Sequence, residues 1–145
     1  MKRKANARWK GNGTNGEGSL TTTSGVLDET PYSFKLRFKD ESGKNGTNPE
    51  ELIAAAHSGC YAMALSVAIE QAGFTPDQVD AEAIVQLDQA DGGFAVTKIT
   101  LEVKGAVSGM SESKFMELAE GAKKNCPISK ALSAVPIDLN ASFKS

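Results

Sequence analysis

Arginine, histidine and cysteine are all scarce in this sequence of 145 residues. The 16 Lys and Arg residues face 18 Asp and Glu residues, and the arginines are Arg3, Arg8 and Arg37. With a formal net charge of -2, the chain lacks the basic surplus that binding to nucleic acid or to an anionic lipid surface requires. The composition therefore predicts neither a nucleic-acid partner nor a membrane partner.

Residues 1–13 are basic and then polar, and they lack the apolar stretch of a secretory signal. We therefore expect a cytoplasmic protein. Two cysteines, Cys60 and Cys126, are too few for the disulfide framework of a small secreted protein. In a reducing compartment such a pair is reactive, binds a metal or is merely buried, and deciding among these is the central question.

A length of 145 residues and a mass of 15.2 kDa predict one domain, residues 1–145. After a polar loop over residues 39–48, Asn48 as N-cap and Pro49 at the first helical position predict a helix that ends near Gly73. Residues 52–69 carry no charged side chain, which approaches the length of a membrane span. Alanines and polar groups near the middle favour instead a central helix that a soluble core surrounds on all sides.

Strand patterns flank this helix. An alternating run over residues 32–38 predicts a strand after a glycine-rich hairpin turn over residues 11–16. Residues 80–88 and 94–106 predict a second hairpin, and residues 135–143 predict a final strand. Because the chain lacks a repeated βαβ order, we predict an α+β fold with antiparallel sheets around a buried central helix.

Both cysteines are predicted to face the interior. Cys60 lies in the middle of the central helix, and the apolar stripe of a second helix, capped by Ser111, continues to Cys126. Pro127 opens a new turn with Cys126 at its N-cap, where backbone amides would favour a thiolate. Two such thiols fit a thiolate that attacks and a partner that closes a disulfide. Two cysteines that only pack in the core explain the same pattern.

Other kinds of site remain open at this level. His57 could polarise Cys60, but a core histidine with a satisfied hydrogen bond is commoner, and we assign it no catalytic role. His57, Cys60 and Cys126 with a carboxylate would make an acceptable zinc site. An apolar pocket beside the thiols would suit a non-enzymatic module that binds a lipid or small ligand. A cysteine hydrolase is a weaker alternative and is set aside, because there is no second histidine and nothing indicates an oxyanion hole.

Several separated segments resemble the osmotically inducible protein C (OsmC) family of peroxidases. The early region, where the sister organic hydroperoxide resistance branch carries its arginine, offers only Arg8 in a different context, and this favours the OsmC branch. The resemblance extends over nearly the whole chain. The segments are, in order, residues 24–27 (SGVL), 31–38 (PYSFKLRF), 47–52 (TNPEEL), 55–64 (AAHSGCYAMA), 90–99 (ADGGFAVTKI) and 125–129 (NCPIS).

The resemblance implies residue roles and partners. Cys60 corresponds to the peroxidatic cysteine, Cys126 to the resolving cysteine, and Arg37 and Glu50 to an activating arginine and its carboxylate partner. Without the resemblance, Arg37 is explained as a solvated strand charge and Glu50 as a carboxylate favoured by the helix dipole. The family implies an intertwined homodimer that reduces organic and fatty-acid hydroperoxides in oxidative and osmotic stress. It implies turnover by a dithiol, such as a lipoylated protein, and no cofactor or metal.

Physical reasoning adds three expectations. Ten residues of continuous helix separate Glu50 from Cys60 by about 15 Å, so a Glu50 close to Cys60 would come from a second subunit. Burial disfavours the thiolate, so we expect Arg37 to offset this cost and to stabilise the departing alkoxide. An apolar pocket would prefer bulky organic peroxides to hydrogen peroxide.

Overall fold

A computed structural model describes residues 1–40 and 42–144, so Glu41, in the predicted loop over residues 39–48, lies outside the described residues. The chain divides into two compact units, Met1–Leu52 and a second that begins at Ile53. The α+β class is confirmed. The elements are, in order, β1 (Ala5–Lys10), β2 (Glu17–Thr22), β3 (Thr30–Ser33), α1 (Phe34–Phe38), α2 (Pro49–Gln71), β4 (Gln78–Ala90), β5 (Gly93–Ala106), α3 (Glu112–Asn125), α4 (Pro127–Ala131) and β6 (Ile137–Lys144).

The first unit contains an antiparallel sheet in the order β1-β2-β3. The predicted hairpin turn over residues 11–16 joins β1 to β2, and the Gly16 N–H donates to the Asn12 carbonyl at 2.9 Å. The rings of Trp9 and Tyr32 pack with their centroids 5.3 Å apart. These aromatic side chains join the first strand to the third.

The prediction of a strand over residues 32–38 is wrong beyond Ser33, because the chain turns there into α1. The Ser33 side chain caps this helix by accepting from the Leu36 N–H at 3.1 Å. The rings of Phe34 and Phe38 pack 4.6 Å apart, as residues four apart do on one helix face. Phe34 and Phe38 fit both the alternating spacing of a strand and the i, i+4 spacing of a helix. The Ser33 cap favours the helix.

The second unit contains a sheet in the order β4-β5-β6. The predicted hairpin is confirmed, and its turn places Asp91 and Gly92 at φ of 45° and 82°, as a tight hairpin turn requires. Strand β6 confirms the predicted final strand but pairs with β5 in parallel, with Ile137 beside Ile99. The expectation of purely antiparallel sheets is therefore wrong here, because α3 and α4 carry the chain back before β6 begins.

The core of the second unit lies among α2, α3 and this sheet. Residues four apart on α2, from His57 to Ile69, present one fully buried face. Phe115 on α3 packs so closely on β5 that a Cβ at Gly105 would come within 2.2 Å of its ring. The core side chains include Tyr61, Leu65, Ile69, Leu101, Val103, Val107, Phe115, Ala119, Ala122 and Cys126.

Helix α2 is surrounded on one face only, which corrects the expectation of cover on every side. In the single chain Met63 is 68% exposed and Val67 is 44% exposed, although both are apolar. By length and composition alone α2 could also cross a membrane, a test that the core helix of a soluble protein passes too. The Tyr61 hydroxyl donates to the Ala119 carbonyl at 3.1 Å, so this face of α2 is packed on protein.

Candidate active site

Helix α2 fixes the position of Cys60. The helix begins as predicted, with the Glu51 N–H donating to Asn48 Oδ1 at 2.8 Å and Pro49 following the cap. Cys60 precedes the fully buried Tyr61 and is itself partly buried. Its sulfur therefore lies at the margin between the core and the surface of the second unit.

Cys126 occupies the junction between two helices. It is the C-cap of α3, where its N–H donates to the Ala122 carbonyl at 2.8 Å, and also the N-cap of α4. Pro127 cannot continue α3 but suits the first position of α4. Cys126 has no exposed surface in the chain, so the local sequence places this thiol at a helix start inside the core.

The two sulfurs meet in the second unit. Cys60 Sγ and Cys126 Sγ lie 2.9 Å apart although 66 positions separate the residues in sequence, and both thiols are free. A disulfide bond is about 2.05 Å long, so closing one requires the sulfurs to approach by only about 0.9 Å. The fold therefore brings together the two cysteines that the sequence nominated as a candidate pair.

Burial and hydrogen bonds shift the pKa values of the two thiols in opposite directions. Burial and the hydrogen bond with Cys126 raise the pKa of the Cys60 thiol, although the Ile128 N–H acts in the opposite direction. Burial also acts to raise the pKa of Cys126, but hydrogen bonds with Cys60, with Ser129 and with the Ile128 N–H outweigh it, and that pKa is lowered. The surroundings therefore favour the anionic form of Cys126 over that of Cys60.

A buried polar contact joins His57 on α2 to Ser129 on α4. His57 Nε2 lies 2.8 Å from the Ser129 hydroxyl, across 72 positions of sequence. Nδ1 of His57 is buried without a hydrogen-bond partner in the described part of the chain. Burial lowers the pKa of His57, so the ring is neutral at neutral pH.

Cys60 also lies on the wall of an apolar cavity of about 730 Å³ within the second unit. Cys126 does not line this cavity, so a molecule entering it reaches the Cys60 sulfur first. The expected apolar pocket is present, and its walls come from α2, α3 and the start of α4. The lining residues are Cys60, Met63, Ala64, Val67, Ala68, Gln71, Glu117, Leu118, Gly121, Ala122, Asn125 and Pro127.

The first unit holds the other two predicted site residues. Arg37 on α1 donates from Nε to Glu50 Oε2 at 3.1 Å and from Nη2 to Glu50 Oε1 at 2.5 Å. The guanidinium also lies 5.0 Å from the Phe38 ring centroid. A bidentate pair fixes the plane and orientation of a guanidinium. Glu50 therefore orients Arg37 in addition to interacting with the dipole of α2.

The zinc alternative lacks a geometric basis in residues 1–40 and 42–144. No three side chains among their histidines, cysteines, aspartates and glutamates come together as a possible metal site. Nε2 of His57 is directed at Ser129. The two sulfurs thus form a pair without a third ligand.

Sequence reasoning missed Ser129. This residue is 5% exposed and lies three positions after the N-cap Cys126, where a side chain can reach back to the cap. The signal was available in the segment NCPIS, since a serine three residues after a capping cysteine belongs to the same turn. Only the fold, however, brings His57 to that serine.

The chain is similar to known proteins over nearly its whole length. The family model described as OsmC-like protein matches residues 41–140. Peroxiredoxin OsmC of Escherichia coli (strain K12) is 47% identical over 143 residues, which cover 99% of this chain and 97% of that protein. The organic hydroperoxide resistance protein OhrB of Bacillus subtilis (strain 168) is 34% identical over 115 residues, with 79% and 80% covered.

The fold has the same relatives. The crystal structure of an organic hydroperoxide resistance protein from Elizabethkingia anophelis, with thiocyanate bound, matches with a TM-score of 0.72 and 26% identity. That match covers 99% of each chain. Sequence and fold therefore point to the same group of proteins.

Proposed function

The chain belongs to the OsmC-like protein family, and we propose that it is a thiol peroxidase that reduces organic hydroperoxides to alcohols. The observation that supports this most is the 2.9 Å contact between Cys60 Sγ and Cys126 Sγ beside an apolar cavity that Cys60 lines and Cys126 does not. The names of the relatives, a peroxiredoxin and organic hydroperoxide resistance proteins, support a redox role in peroxide stress.

Cys60 is the proposed attacking residue because it is the sulfur that the cavity exposes. The raised pKa of its thiol requires a base, and we assign that role to the thiolate form of Cys126, whose sulfur lies 2.9 Å away. Transfer of the shared proton to Cys126 gives the Cys60 thiolate, which is the nucleophilic form. The pair thereby generates its own nucleophile.

The thiolate attacks the terminal oxygen of the hydroperoxide and the O–O bond breaks. Cys60 becomes a sulfenic acid and an alkoxide leaves, which takes a proton from Cys126 and departs as the alcohol. The restored Cys126 thiolate attacks the sulfenic sulfur, the S–S bond forms and the S–O bond breaks. The released hydroxide takes a proton from solvent, and an external dithiol later reduces the disulfide.

Arg37 and Glu50 are proposed as the activating pair. A guanidinium near the reacting sulfur would stabilise the thiolate and the departing alkoxide, and Glu50 would hold it in a fixed orientation through two hydrogen bonds. Because α2 is continuous from Pro49 to Gln71, about 15 Å of helix separates Glu50 from Cys60 of the same chain. We therefore propose that the pair acts on the Cys60 of a second subunit.

A homodimer follows from the same reasoning. The apolar side chains of Met63 and Val67 are exposed in the single chain, and a second copy would cover them. We also propose that residues 1–145 work as one domain, because the family match spans residues 41–140 and α2 is continuous through the boundary at Ile53. The proposed compartment is the cytoplasm, with a dithiol such as a lipoylated protein as reductant.

Steady-state consumption of cumene hydroperoxide with dihydrolipoamide as reductant tests this function. Wild type should turn over, Cys60→Ser should be inactive and Cys126→Ser should lose turnover after the first oxidation. Hydrogen peroxide should be the poorer substrate, because the cavity is apolar. Unchanged consumption by Cys60→Ser would reject the peroxidase, and a ligand-binding module that uses the same cavity would then be favoured.

A further inference from the structure

The mechanism above does not use the buried contact between His57 and Ser129. Resting on the proposed peroxidase function, we propose that Ser129 is a positioning residue for the resolving cysteine. Its hydroxyl, oriented by Nε2 of His57, donates to the Cys126 sulfur and holds that sulfur as the thiolate that attacks the Cys60 sulfenic acid. His57 acts through Ser129 and touches neither substrate nor the reacting sulfurs.

The backbone brings Ser129 to this task. Cys126 is the N-cap of α4, and Ser129 is the third residue of that helix, a position whose side chain can reach back to the cap. The hydroxyl cannot turn away into water, because Ser129 is 5% exposed and His57 has no exposed surface. The hydrogen bonds with Ser129 that lower the pKa of Cys126 agree with this arrangement.

The number of available hydrogens favours a hydrogen bond that runs from His57 to Ser129 and from Ser129 to Cys126. A serine hydroxyl carries one hydrogen and a neutral imidazole carries one N–H. If Ser129 donated to Nε2, the N–H of His57 would be on Nδ1, which is buried without a partner in the described chain. Orphaned buried N–H groups are rare in folded proteins, whereas unmatched acceptors are tolerated better. Nε2–H therefore donates to Ser129, and the hydroxyl hydrogen is left for Cys126.

Few other side chains could donate a hydrogen bond to the Cys126 thiolate or titrate beside it. From α2, the Cys60 sulfur is in hydrogen-bond contact with Cys126, and Tyr61 is a second titratable neighbour. Burial raises the pKa of Tyr61, and negative charge on Glu120 of α3 and on Cys126 raises it further. Tyr61 remains neutral and donates its proton to the Ala119 carbonyl. We therefore assign the hydroxyl of Ser129, buried in the first turn of α4, as a side-chain donor to the Cys126 thiolate.

The thiolate can be measured without any peroxide. In a Cys60→Ser background Cys126 is the only cysteine, and its ionisation is followed by thiolate absorbance at 240 nm during a pH titration. We expect Ser129→Ala to raise the titration midpoint by about one pH unit, the effect of losing one charge-assisted hydrogen bond. His57→Leu should raise it too, whereas His57→Gln, which keeps an N–H donor, should restore most of the parent value. Ser66→Ala, which removes a hydroxyl bonded to the Ala62 carbonyl on α2, is the matched control.

The second readout is the resolving step itself. With both cysteines present, one equivalent of cumene hydroperoxide is added and samples are quenched in acid for intact mass. In Ser129→Ala the Cys60 sulfenic acid should convert to disulfide about tenfold more slowly than in wild type, and excess oxidant should drive more Cys60 to sulfinic acid. His57→Gln should again be closer to wild type than His57→Leu.

A titration midpoint in Ser129→Ala equal to that of its parent, or disulfide formation as fast as in wild type, would overturn the inference. Failure of the proposed function is a different result, since wild type would then not be oxidised at Cys60 at all. The titration needs no peroxide and decides the role of Ser129 in either case. Far-UV circular dichroism confirms that each variant is folded, and His57→Gln provides a test if His57→Leu is not.

Discussion

Two hydrogen bonds join the Arg37 guanidinium to both carboxylate oxygens of Glu50, at 3.1 Å and 2.5 Å. The two residues are thirteen positions apart in sequence, one on α1 and the other in the first turn of α2. The pair is partly accessible, with side chains 34% and 13% exposed. Such a pair adds only about 0.2–1 kcal/mol to stability. Its more important effect is therefore to hold the guanidinium of Arg37 in one orientation.

Arg37→Lys tests that role. A lysine keeps the charge but loses the planar fork that Glu50 holds, so we expect the rate of Cys60 oxidation by cumene hydroperoxide to fall by about ten- to a hundredfold. The thermal midpoint should change little. Stopped-flow oxidation measures the rate, and Arg8→Lys serves as the control for an arginine outside the site. A rate equal to wild type would remove Arg37 from the mechanism.

Gly121 offers a way to fill the cavity without disturbing the core. It lies on α3 among the lining residues, and a Cβ there would meet nothing within 4 Å. Gly121→Leu should therefore place its side chain in the cavity, while replacement of a helical glycine adds about 1 kcal/mol of helix stability. We expect kcat/KM to fall about tenfold for cumene hydroperoxide and far less for hydrogen peroxide.

Gly121→Ala, which adds one methyl group, is the matched control and should stay near wild type. Equal losses for both peroxides in Gly121→Leu would mean that the cavity does not receive the organic group. An unchanged kcat/KM for cumene hydroperoxide would lead to the same conclusion.

Met63→Lys probes the proposed dimer. If a second copy covers the exposed apolar face of α2 as proposed, wild type should sediment at twice the chain mass of 15.2 kDa. A lysine at Met63 would bury a charge in that contact, at a cost of several kcal/mol unless the charge is paired, and should yield monomers. Sedimentation velocity measures both proteins, and a stable, folded wild-type monomer would contradict the dimer.

His57 predicts a specific dependence of stability on pH. Burial lowers its pKa in the folded protein, whereas the unfolded chain has the ordinary value of about 6.5. Below about pH 6.5 the unfolded state binds a proton that the folded state does not, so the free energy of unfolding falls as pH drops, by up to about 1.4 kcal/mol per pH unit. Above that pH the stability is unaffected by this group.

His57→Gln should remove this part of the pH dependence. Carboxylates titrate alike in both proteins, so the difference between the two urea denaturation series from pH 7.5 to pH 5 isolates the histidine. Parallel curves would mean that His57 is not neutral and buried in the folded state.

Local signals in the sequence predicted most of the helices and strands. The cap at Asn48, the turn at Asp91 and Gly92 and the apolar stripe of α3 each involve residues close in sequence, and each prediction is confirmed. The failure at α1 is also local, because the period-2 pattern contains Phe34 and Phe38 at helical spacing. The Ser33 cap was the feature that could have corrected it.

Long-range features depended on packing. The parallel pairing of β6 with β5 follows from the path of α3 and α4, which no single segment encodes. The sequence indicated two interior thiols, but the contact between their sulfurs and the choice of Cys126 as the more acidic thiol need the amides of α4 and the Ser129 side chain in place. The His57–Ser129 contact spans 72 positions and had no local signal.

Intact mass after a single turnover tests the central claim most directly. Reduced wild type, Cys60→Ser and Cys126→Ser are each mixed with one equivalent of cumene hydroperoxide and quenched in acid. The proposed mechanism predicts a loss of two hydrogens in wild type, oxygen added at Cys60 in Cys126→Ser and an unchanged mass for Cys60→Ser. Oxidation of Cys126 in Cys60→Ser at the wild-type rate, or no change in the wild-type mass, would contradict the assignment of Cys60 as the attacking thiol.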